Sequence, residues 1–421
     1  MKNRIRNLLK IDLVKHNLIF LFGTLAISVF NYLYYPVISR LVSVVEFGEI
    51  QASISIFMQL GILLTAFGYV VANITSNSRS ERAKHDIIFL ERITLMLSIG
   101  LLAVLILFGN QLRSSLQFSS ALPLLLVGAL VILNVPSTTR SYVLQGTKRL
   151  KEVSVSGIIF SAGKLLATVV LILLGVNVEA AISGYIIAQA LTLIYLNIRS
   201  RDIFPGIGHS FKKLAKLENT TQMKKELKFG FIVIVLLAAL AVLYSFDVVL
   251  ARFFLTPEAA GEYSGVSSVA RIIYFATASV AGVLIASVAV KDSYKRSRKV
   301  LLVSAGIVSA IGLVVLAIFT LFPTQSISIL LGLSYAHVSN LLPITGLFMF
   351  VASLNNLFIT FQISRRRYEA VISAVVGVAV LVTFLFFKHS GVHDLIMGYL
   401  VANVVVFVIL TLQIVRRSRD E

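Results

Sequence analysis

Three cationic side chains lie inside long apolar stretches of this sequence. Arg140, Lys164 and Arg271 each fall within a run of residues that is long enough and apolar enough to cross a membrane. A charge at bilayer depth costs roughly 2.5 to 3.5 kcal/mol even on lenient insertion scales, so such a residue usually faces a cavity, a partner or a ligand. The sign of these three charges favours an anionic ligand.

The three cations differ in the structural roles that could replace ligand binding. Lys164 lies near the middle of its apolar run, where water is hardest to reach, so a ligand or a structural ion pair must balance its charge. The same two roles apply to Arg271. Arg140 lies close to the end of its run, and a long side chain there could instead reach the lipid headgroups. Asp247 is the only carboxylate inside the predicted spans. Its role is either that of a coupling site for a proton or sodium ion or that of the ion-pair partner of Arg271. Because charges in spans tend to pair, the ion pair is slightly favoured.

The composition predicts a membrane protein. The chain has 421 residues, of which 57% are hydrophobic and 14% charged, with a mean hydropathy of +0.92. Soluble domains are about 45–50% apolar and about 25% charged. We predict an all-α fold of about twelve transmembrane helices. They lie near residues 17–39, 50–74, 93–109, 120–145, 154–174, 180–198, 229–251, 263–290, 301–321, 336–363, 370–387 and 395–415.

The distribution of Lys and Arg predicts the orientation. Segments on the side of the N-terminus hold 31 of the 38 basic residues, and the opposite loops hold four, which are Arg40, Arg113, Arg252 and Lys388. Short cytoplasmic loops carry the basic excess in membrane proteins. Both termini are therefore predicted to be cytoplasmic.

The net charge of +19 follows from this topology. It predicts attraction to anionic membrane lipids and gives no reason to expect a nucleic-acid partner. The chain has no cysteine, so thiol catalysis and thiolate metal sites are excluded, and no metal or cofactor is predicted.

Two internal repeats divide the chain. LQGTKRLKEV at 144–153 matches FQISRRRYEA at 361–370 with an offset of 217 residues, and EFGEI at 46–50 matches AAGEY at 259–263 with an offset of 213, which aligns Gly48 with Gly261. Repeats of equal orientation predict two parallel six-helix bundles, an architecture of transporters. We predict an N-terminal bundle at 1–198, a basic cytoplasmic linker at 199–228 and a C-terminal bundle at 229–421.

Three segments carry a resemblance to a known superfamily. They are YYPVISRLVSVVEFGEI after the first span, LQGTKRLKEV before the fifth, and FDVVLARFFLTPEAAGEYSGV at the start of the second half. With these patterns the chain resembles the multidrug/oligosaccharidyl-lipid/polysaccharide (MOP) exporter superfamily, and within it the bacterial polysaccharide and O-antigen flippases.

The resemblance implies a V-shaped pair of bundles in the bacterial cytoplasmic membrane. It implies transport of an undecaprenyl-diphosphate-linked oligosaccharide from the inner to the outer leaflet, and it makes Arg271 a candidate diphosphate or sugar ligand. Arginine presents a planar fork that suits phosphate oxygens. NYLYYP, at residues 31–36, places polar aromatic side chains near the outer rim, where they could stack on sugars, and makes Asn31 and Tyr34 candidate substrate-binding residues. Because the chain has no Trp, an interfacial belt of Tyr and Phe is the favoured interpretation of that motif.

Other functional classes remain open. A multidrug antiporter of the same superfamily needs an acidic cavity for cationic drugs, and three embedded cations against one carboxylate have the wrong sign. A major-facilitator transporter also has twelve helices in two halves, but SNSRSERAKHD after the second span lacks its Gly-rich Asp-Arg signature. An enzyme is not expected, since the longest predicted outer loop, at about 322–335, is too short to hold a catalytic site.

Overall fold

The computed structural model describes residue 23 and residues 26–77, 81–204, 235–287, 294–365 and 369–420. These residues are almost entirely helical, and no strand occurs among them. The helices are α1 Ala26–Ile38, α2 Val44–Asn77, α3 Glu81–Ser115, α4 Leu122–Gly146, α5 Leu150–Leu173, α6 Val178–Ser200, α7 Val235–Ser245, α8 Asp247–Phe254, α9 Pro257–Ser287, α10 Tyr294–Leu321, α11 Pro323–Leu331, α12 Leu342–Ser364, α13 Glu369–Phe387 and α14 Val392–Asp420. A 3₁₀ segment, Leu333–Leu341, joins α11 to α12.

Every predicted span overlaps a helix. Within the described residues, nine helices are long and apolar enough to cross a membrane, or ten if the bent pair α7 and α8 is one span. Large apolar side chains lie on the outside of the molecule, as Leu107 and Phe386 do at 76% exposure each. A water-soluble protein would bury such side chains, so these exposed faces fit contact with lipid tails.

Local sequence explains where several helices start and stop. Proline stands in the first turn of α4, α11 and α12, where its missing N–H costs no helical hydrogen bond. Gly332 ends α11 with a φ of 106°, a backbone conformation that glycine adopts without steric cost. Gln117 has a φ of 52° just after α3 ends.

The described residues group into two compact units. Unit 1 takes them from Met1–Tyr35, Leu60–Ser114 and Phe118–Phe231, and unit 2 from Pro36–Gln59, Ser115–Gln117 and Ile232–Glu421. Unit 2 therefore contains two segments from the first half of the sequence. The predicted linker at 199–228 lies mostly outside the described residues, as does the start of the first predicted span, so the division into sequential bundles stays a prediction. The cytoplasmic location of both termini also stays a prediction.

Within unit 1, α6 packs against α4 and α5. Gly184 makes the contact with α5 close, since a Cβ there would lie 2.2 Å from Oγ1 of Thr168. The turn between α4 and α5 holds Arg149, whose guanidinium pairs with Glu152 at 3.0 Å and with Asp202 at 2.9 Å. The predicted repeat motif thus ties the start of α5 to the end of α6.

Within unit 2, α12 packs against α9, α10 and α14, and α13 packs against α14. Helices α7 and α8 meet at an angle of 59° at Phe246. A break of this kind leaves backbone carbonyls without helical partners, and in an apolar setting other groups must bond them. The polar residues that do so form one of the two candidate sites.

Candidate functional site

The amine of Lys164 lies in a cage of three aromatic rings in unit 1. Its Nζ is 4.7 Å from the ring centre of Tyr185, 5.2 Å from that of Tyr34 and 5.7 Å from that of Phe160. Nζ also donates a hydrogen bond to the Tyr185 hydroxyl at 3.2 Å. We call Tyr34, Phe160 and Tyr185 the aromatic cage. Ring faces attract a cation, and this attraction strengthens where water is excluded.

Helix geometry explains how the aromatic cage forms. Phe160 precedes Lys164 by four residues on α5, so both side chains lie on one face. Tyr185 comes from α6 and Tyr34 from α1, and their rings meet edge to face with centres 5.6 Å apart. Lys164 is only 6% exposed. Within the described residues, no carboxylate lies within 4.0 Å of its amine.

The structure brings Tyr34 and Lys164 together, which the sequence did not predict. Tyr34 is fully buried, at 0% exposure, and its ring contacts the cation. Asn31 is half-buried one turn earlier on α1 and takes no part in the aromatic cage. The role of Asn31 as a substrate ligand stays a prediction.

Arg140 lies in a buried ion pair within unit 1. Its Nη1 is 3.0 Å from Oε1 of Glu91 on α3 and also donates to the Pro136 carbonyl at 2.9 Å, while Nε donates to Oδ1 of Asn197 at 3.3 Å. Arg140 is 0% exposed, so its side chain does not extend to the headgroups. These contacts hold α3, α4 and α6 together, and a ligand role for Arg140 stays a prediction.

In unit 2, Arg271 pairs with Asp247 at the break between α7 and α8. Nη2 of Arg271 lies 2.5 Å from Oδ1 of Asp247. The other carboxylate oxygen, Oδ2, accepts hydrogen bonds from the Tyr263 hydroxyl at 2.8 Å and the Ser267 hydroxyl at 2.5 Å. The three donors of Asp247 all come from α9. Of the two roles that the sequence predicts for Asp247, the geometry shows the ion pair.

Residues around the break satisfy the freed backbone. The Ser245 carbonyl accepts a hydrogen bond from the Ser55 hydroxyl and a long one, 3.5 Å, from Nη2 of Arg271. The Ser245 hydroxyl accepts from Nε2 of Gln59 at 3.0 Å. Two residues from the part of α2 that belongs to unit 2 therefore bond the end of α7.

Sequence reasoning missed two buried carboxylates and one buried arginine. Glu49 and Glu91 are 3% and 1% exposed and lie inside helices, so Asp247 is not the only embedded carboxylate, and that prediction was wrong. Arg252, assigned to an outer loop, is 0% exposed and lies 3.2 Å from Glu49. The predicted spans stopped at these charges because an apolar window ends where a charge lowers its average. The helices continue past each of these charges, which an apolar window does not detect.

The corrected charge balance separates Lys164 from the other buried cations. Arg140, Arg252 and Arg271 each have a carboxylate partner, at 3.0, 3.2 and 2.5 Å respectively. Within the part of the chain that the structure describes, Lys164 is the buried cation for which no such ion pair forms. Its positive charge is therefore the one that a ligand would be needed to balance.

Comparisons with known proteins agree with the helical architecture. Residues 13–285 match the family model described as "Polysaccharide biosynthesis protein". A comparison with curated protein sequences gives no match. The chain resembles a solved structure titled "Inward-facing conformation of a multidrug resistance MATE family transporter of the MOP superfamily", with a TM-score of 0.73 and 15% identity over 93% of this chain and 96% of that one.

Two further solved structures give the same fold. One is a MOP superfamily transporter from Pyrococcus furiosus whose title states that reverse polarity of its binding pocket suggests a different function; the TM-score is 0.62 and identity 14%, over 96% of this chain and 94% of that one. The other is an outward-facing MATE family transporter, with a TM-score of 0.60 and 14% identity over 94% and 95% of the two chains. At these identities the likeness shows the fold, which is MATE-like. The family match covers well over half of the sequence, and the chain therefore belongs to the polysaccharide biosynthesis protein family.

Proposed function

We propose that the protein is a flippase that moves a polyprenyl-diphosphate-linked oligosaccharide across the bacterial cytoplasmic membrane, with both of its termini in the cytoplasm. The observation that carries this proposal is the Lys164 amine, which is buried in the aromatic cage with no carboxylate partner among the described residues. The family match and the MATE-like fold support a membrane transporter of the MOP type. The identity of the lipid-linked substrate is our inference from charge and ring chemistry.

The Lys164 site has the two kinds of group that such a headgroup needs. An ammonium has three donors, and Lys164 uses one of them on Tyr185, so two are available for phosphate or sugar carboxylate oxygens. Aromatic rings offer apolar faces on which the C–H faces of sugars pack. Lys164 and Tyr34 are therefore the substrate-binding residues that we propose first.

Arg271 is a second proposed anion ligand, and its ion pair adds a condition. An incoming phosphate would have to compete with Asp247 for the guanidinium. If phosphate displaced Asp247 from the guanidinium, the Asp247 carboxylate would keep only its hydrogen bonds from the Tyr263 and Ser267 hydroxyls. The carboxylate could then accept a proton or a sodium ion. Asp247 is thus the proposed coupling residue, with the ion pair as its resting state.

The charge balance argues against a multidrug antiporter. With three arginines neutralised by carboxylates, the remaining buried charge within the described residues is positive. A cationic drug would be repelled by it, since buried charges interact with little screening. The multidrug transporters among the similar structures share the fold at 14 to 15% identity, and this likeness does not show that the chain carries the same substrates.

The test is translocation of a fluorescent undecaprenyl-diphosphate oligosaccharide in proteoliposomes. We compare the wild type with Lys164→Met, which keeps most of the side-chain volume and removes the charge. Lys151→Ala is the matched control, because Lys151 is an exposed lysine on the same helix. We expect transfer by the wild type and the control, and at least roughly tenfold slower transfer by Lys164→Met, since a hydrogen bond to a charged group is worth about 1.5 to 3 kcal/mol.

Two results would contradict the proposal. Equal transfer by Lys164→Met and the wild type would remove Lys164 from the substrate site. A wild type that moves no lipid-linked sugar from a panel of neutral and acidic headgroups, yet extrudes cationic dyes, would establish the antiporter instead.

A further inference from the structure

Two arginines of unit 2 make matching contacts with helix ends that are distant in sequence. Nη2 of Arg40 donates to the carbonyl of Ile329 at 2.5 Å, near the end of α11. Arg252 donates from Nε to the carbonyl of Leu116 at 3.1 Å and from Nη2 to that of Gln117, just after the end of α3. The last carbonyls of a helix lack helical partners and carry its negative dipole end. Each arginine therefore caps a helix terminus that belongs to the other half of the sequence.

The spacing of these residues shows that the two caps are one contact made twice. Arg40 and Arg252 are 212 residues apart, and the carbonyls that they bond, at Leu116 and Ile329, are 213 apart. The second separation equals the offset of 213 between EFGEI and AAGEY, and the first differs from it by one residue. Each repeat therefore contributes one arginine that donates hydrogen bonds and one helix end whose carbonyl accepts them. Such reciprocal contacts are the mark of two-fold symmetry, as in the interface of a symmetric dimer.

A residue with a positive φ angle follows each of the two capped helices. Gln117 and Gly332, which follow the capped ends, both have positive φ angles, 52° and 106°. Next to Arg40, the Ser39 hydroxyl donates to the Leu331 carbonyl at 3.3 Å. Beside the other cap, Nε2 of Gln117 donates to the Leu255 carbonyl at 3.1 Å. The two caps are therefore surrounded by further hydrogen bonds between the repeats.

Two glycines mark where the symmetry axis passes. A Cβ on Gly48 would lie 2.8 Å from Cα of Gly261, and a Cβ on Gly261 would lie 2.3 Å from the carbonyl oxygen of Val44. Gly48 and Gly261 are equivalent in the sequence repeat, and equivalent residues meet only beside the axis that relates them. Glu49, which follows Gly48, accepts a hydrogen bond from Arg252 at 3.2 Å. The backbones of α2 and α9 thus meet at the axis, close to one of the caps.

The two caps differ in their charge environment. Arg252 is 0% exposed and its charge is balanced by Glu49. Arg40 is exposed, and Glu262, the repeat equivalent of Glu49, pairs with His337 at 2.7 Å. The same contact is therefore buried and neutralised on one side of the axis and open to solvent on the other. Arg40 can be replaced without leaving a buried carboxylate unbalanced.

We propose that the Arg40 and Arg252 caps form a latch that holds this face of unit 2 closed, and that both caps break when the face opens during transport. Arg40 follows α1 and Arg252 lies in α8, and the distribution of basic residues predicts that both positions are on the external side. A transporter that works by alternating access must open each face in turn, so the contacts between repeats on a closed face must be reversible. Hydrogen bonds from a flexible arginine to helix-end carbonyls meet this need, because water can replace them when the face opens. The latch does not depend on which substrate is carried.

The latch is tested by the accessibility of a single thiol. The chain has no cysteine, so Ser264→Cys gives one reactive group, on α9 one turn after Gly261. Ser264 is 0% exposed, and among the described residues its hydroxyl bonds only to the Ala260 carbonyl of its own helix, at 2.6 Å. In nanodiscs, a hydrophilic maleimide should label this thiol slowly. Adding Arg40→Ala should raise the labelling rate about tenfold, as expected for the loss of one charge-assisted hydrogen bond from the closed state.

Arg252→Lys provides the second arm. Lysine keeps the charge beside Glu49 but lacks the fork that reaches two carbonyls, so the labelling rate should rise here too. Arg113→Ala is the matched control, because Nε of Arg113 bonds the Phe118 carbonyl five residues along its own turn, at 3.2 Å. Its rate should equal that of Ser264→Cys alone. Unchanged labelling in the Arg40 and Arg252 variants, or an equal increase in the Arg113 control, would overturn the latch. No substrate is added, so a failed flippase assay would leave this result unaffected.

Discussion

The buried cations of the two units are balanced in opposite ways. In unit 2, Arg271 has a carboxylate at 2.5 Å, and hydroxyl groups hold that carboxylate in place. In unit 1, the Lys164 amine has ring faces and one hydroxyl. In the first arrangement a carboxylate balances the charge without a ligand, while in the second the ammonium has no carboxylate among the described residues and has unused donors. A cation in an apolar stretch is therefore informative about function only when its partners are known.

This difference also separates stability from function. Removing one member of a complete pair leaves the other buried and unbalanced, which destabilises the fold. Removing an amine that has no carboxylate partner leaves no orphan charge behind. The effects of matched substitutions should therefore fall on the free energy of unfolding in unit 2 and on transport in unit 1.

The largest effect is expected for Asp247→Ala. The substitution strands Arg271 and the two hydroxyls that bond the carboxylate, so the free energy of unfolding should fall by about 3 to 5 kcal/mol. Thermal unfolding in detergent micelles measures the loss. The double variant Asp247→Ala with Arg271→Ala should regain a large part of it, since no buried charge is then unbalanced. Additive losses would show that the two residues act independently and would contradict the comparison.

A smaller and different effect is expected for Lys164→Met. Methionine fills a similar volume among the rings and needs no partner, so the free energy of unfolding should change by less than about 1.5 kcal/mol, in either direction. Transport should nevertheless fall at least roughly tenfold. Unfolding and translocation are measured on the same preparation. A large loss of stability with proportionate loss of transport would make Lys164 a structural residue like Arg271.

The sequence predicted the fold well because the length of an apolar run is a strong signal of a membrane-spanning helix. Runs of about twenty residues identified every long apolar helix within the described part of the chain, and the loops' Lys and Arg gave a topology to test. Short helices and helix ends were predicted less well. The stretch taken as an outer loop at about 322–335 contains α11, and Glu49 and Glu91 lie in helices that continue beyond their apolar windows. Hydropathy averages stop at a charge, whereas a helix continues through a charge that finds a partner.

The site was only partly predictable for the same reason. Lys164 and Arg271 were both identified as buried cations, and the pairing of Asp247 with Arg271 was the favoured interpretation. Sequence spacing could not say that no carboxylate meets Lys164 within the described part of the chain. The inclusion of Tyr34 in the aromatic cage depends on how α1 packs against α5 and α6. Partners on separate helices are fixed by tertiary packing, which a single sequence does not contain.

The smallest effect is expected for Tyr185→Phe, which tests the aromatic cage itself. Phenylalanine keeps the ring 4.7 Å from Nζ and removes the hydroxyl that accepts its hydrogen bond. A single hydrogen bond contributes about 1 kcal/mol, so we expect a several-fold change in transport rate and only a small change in unfolding. Tyr34→Phe is the matched control, because the Tyr34 hydroxyl makes no hydrogen bond to the amine although its ring lies 5.2 Å away. If both variants reduce transport equally, the hydroxyl of Tyr185 has no special part in orienting the amine. If only Tyr185→Phe does so, the hydroxyl directs the remaining donors of Lys164 toward the ligand, and the contrast with the carboxylate-paired Arg271 becomes one of orientation as well as charge.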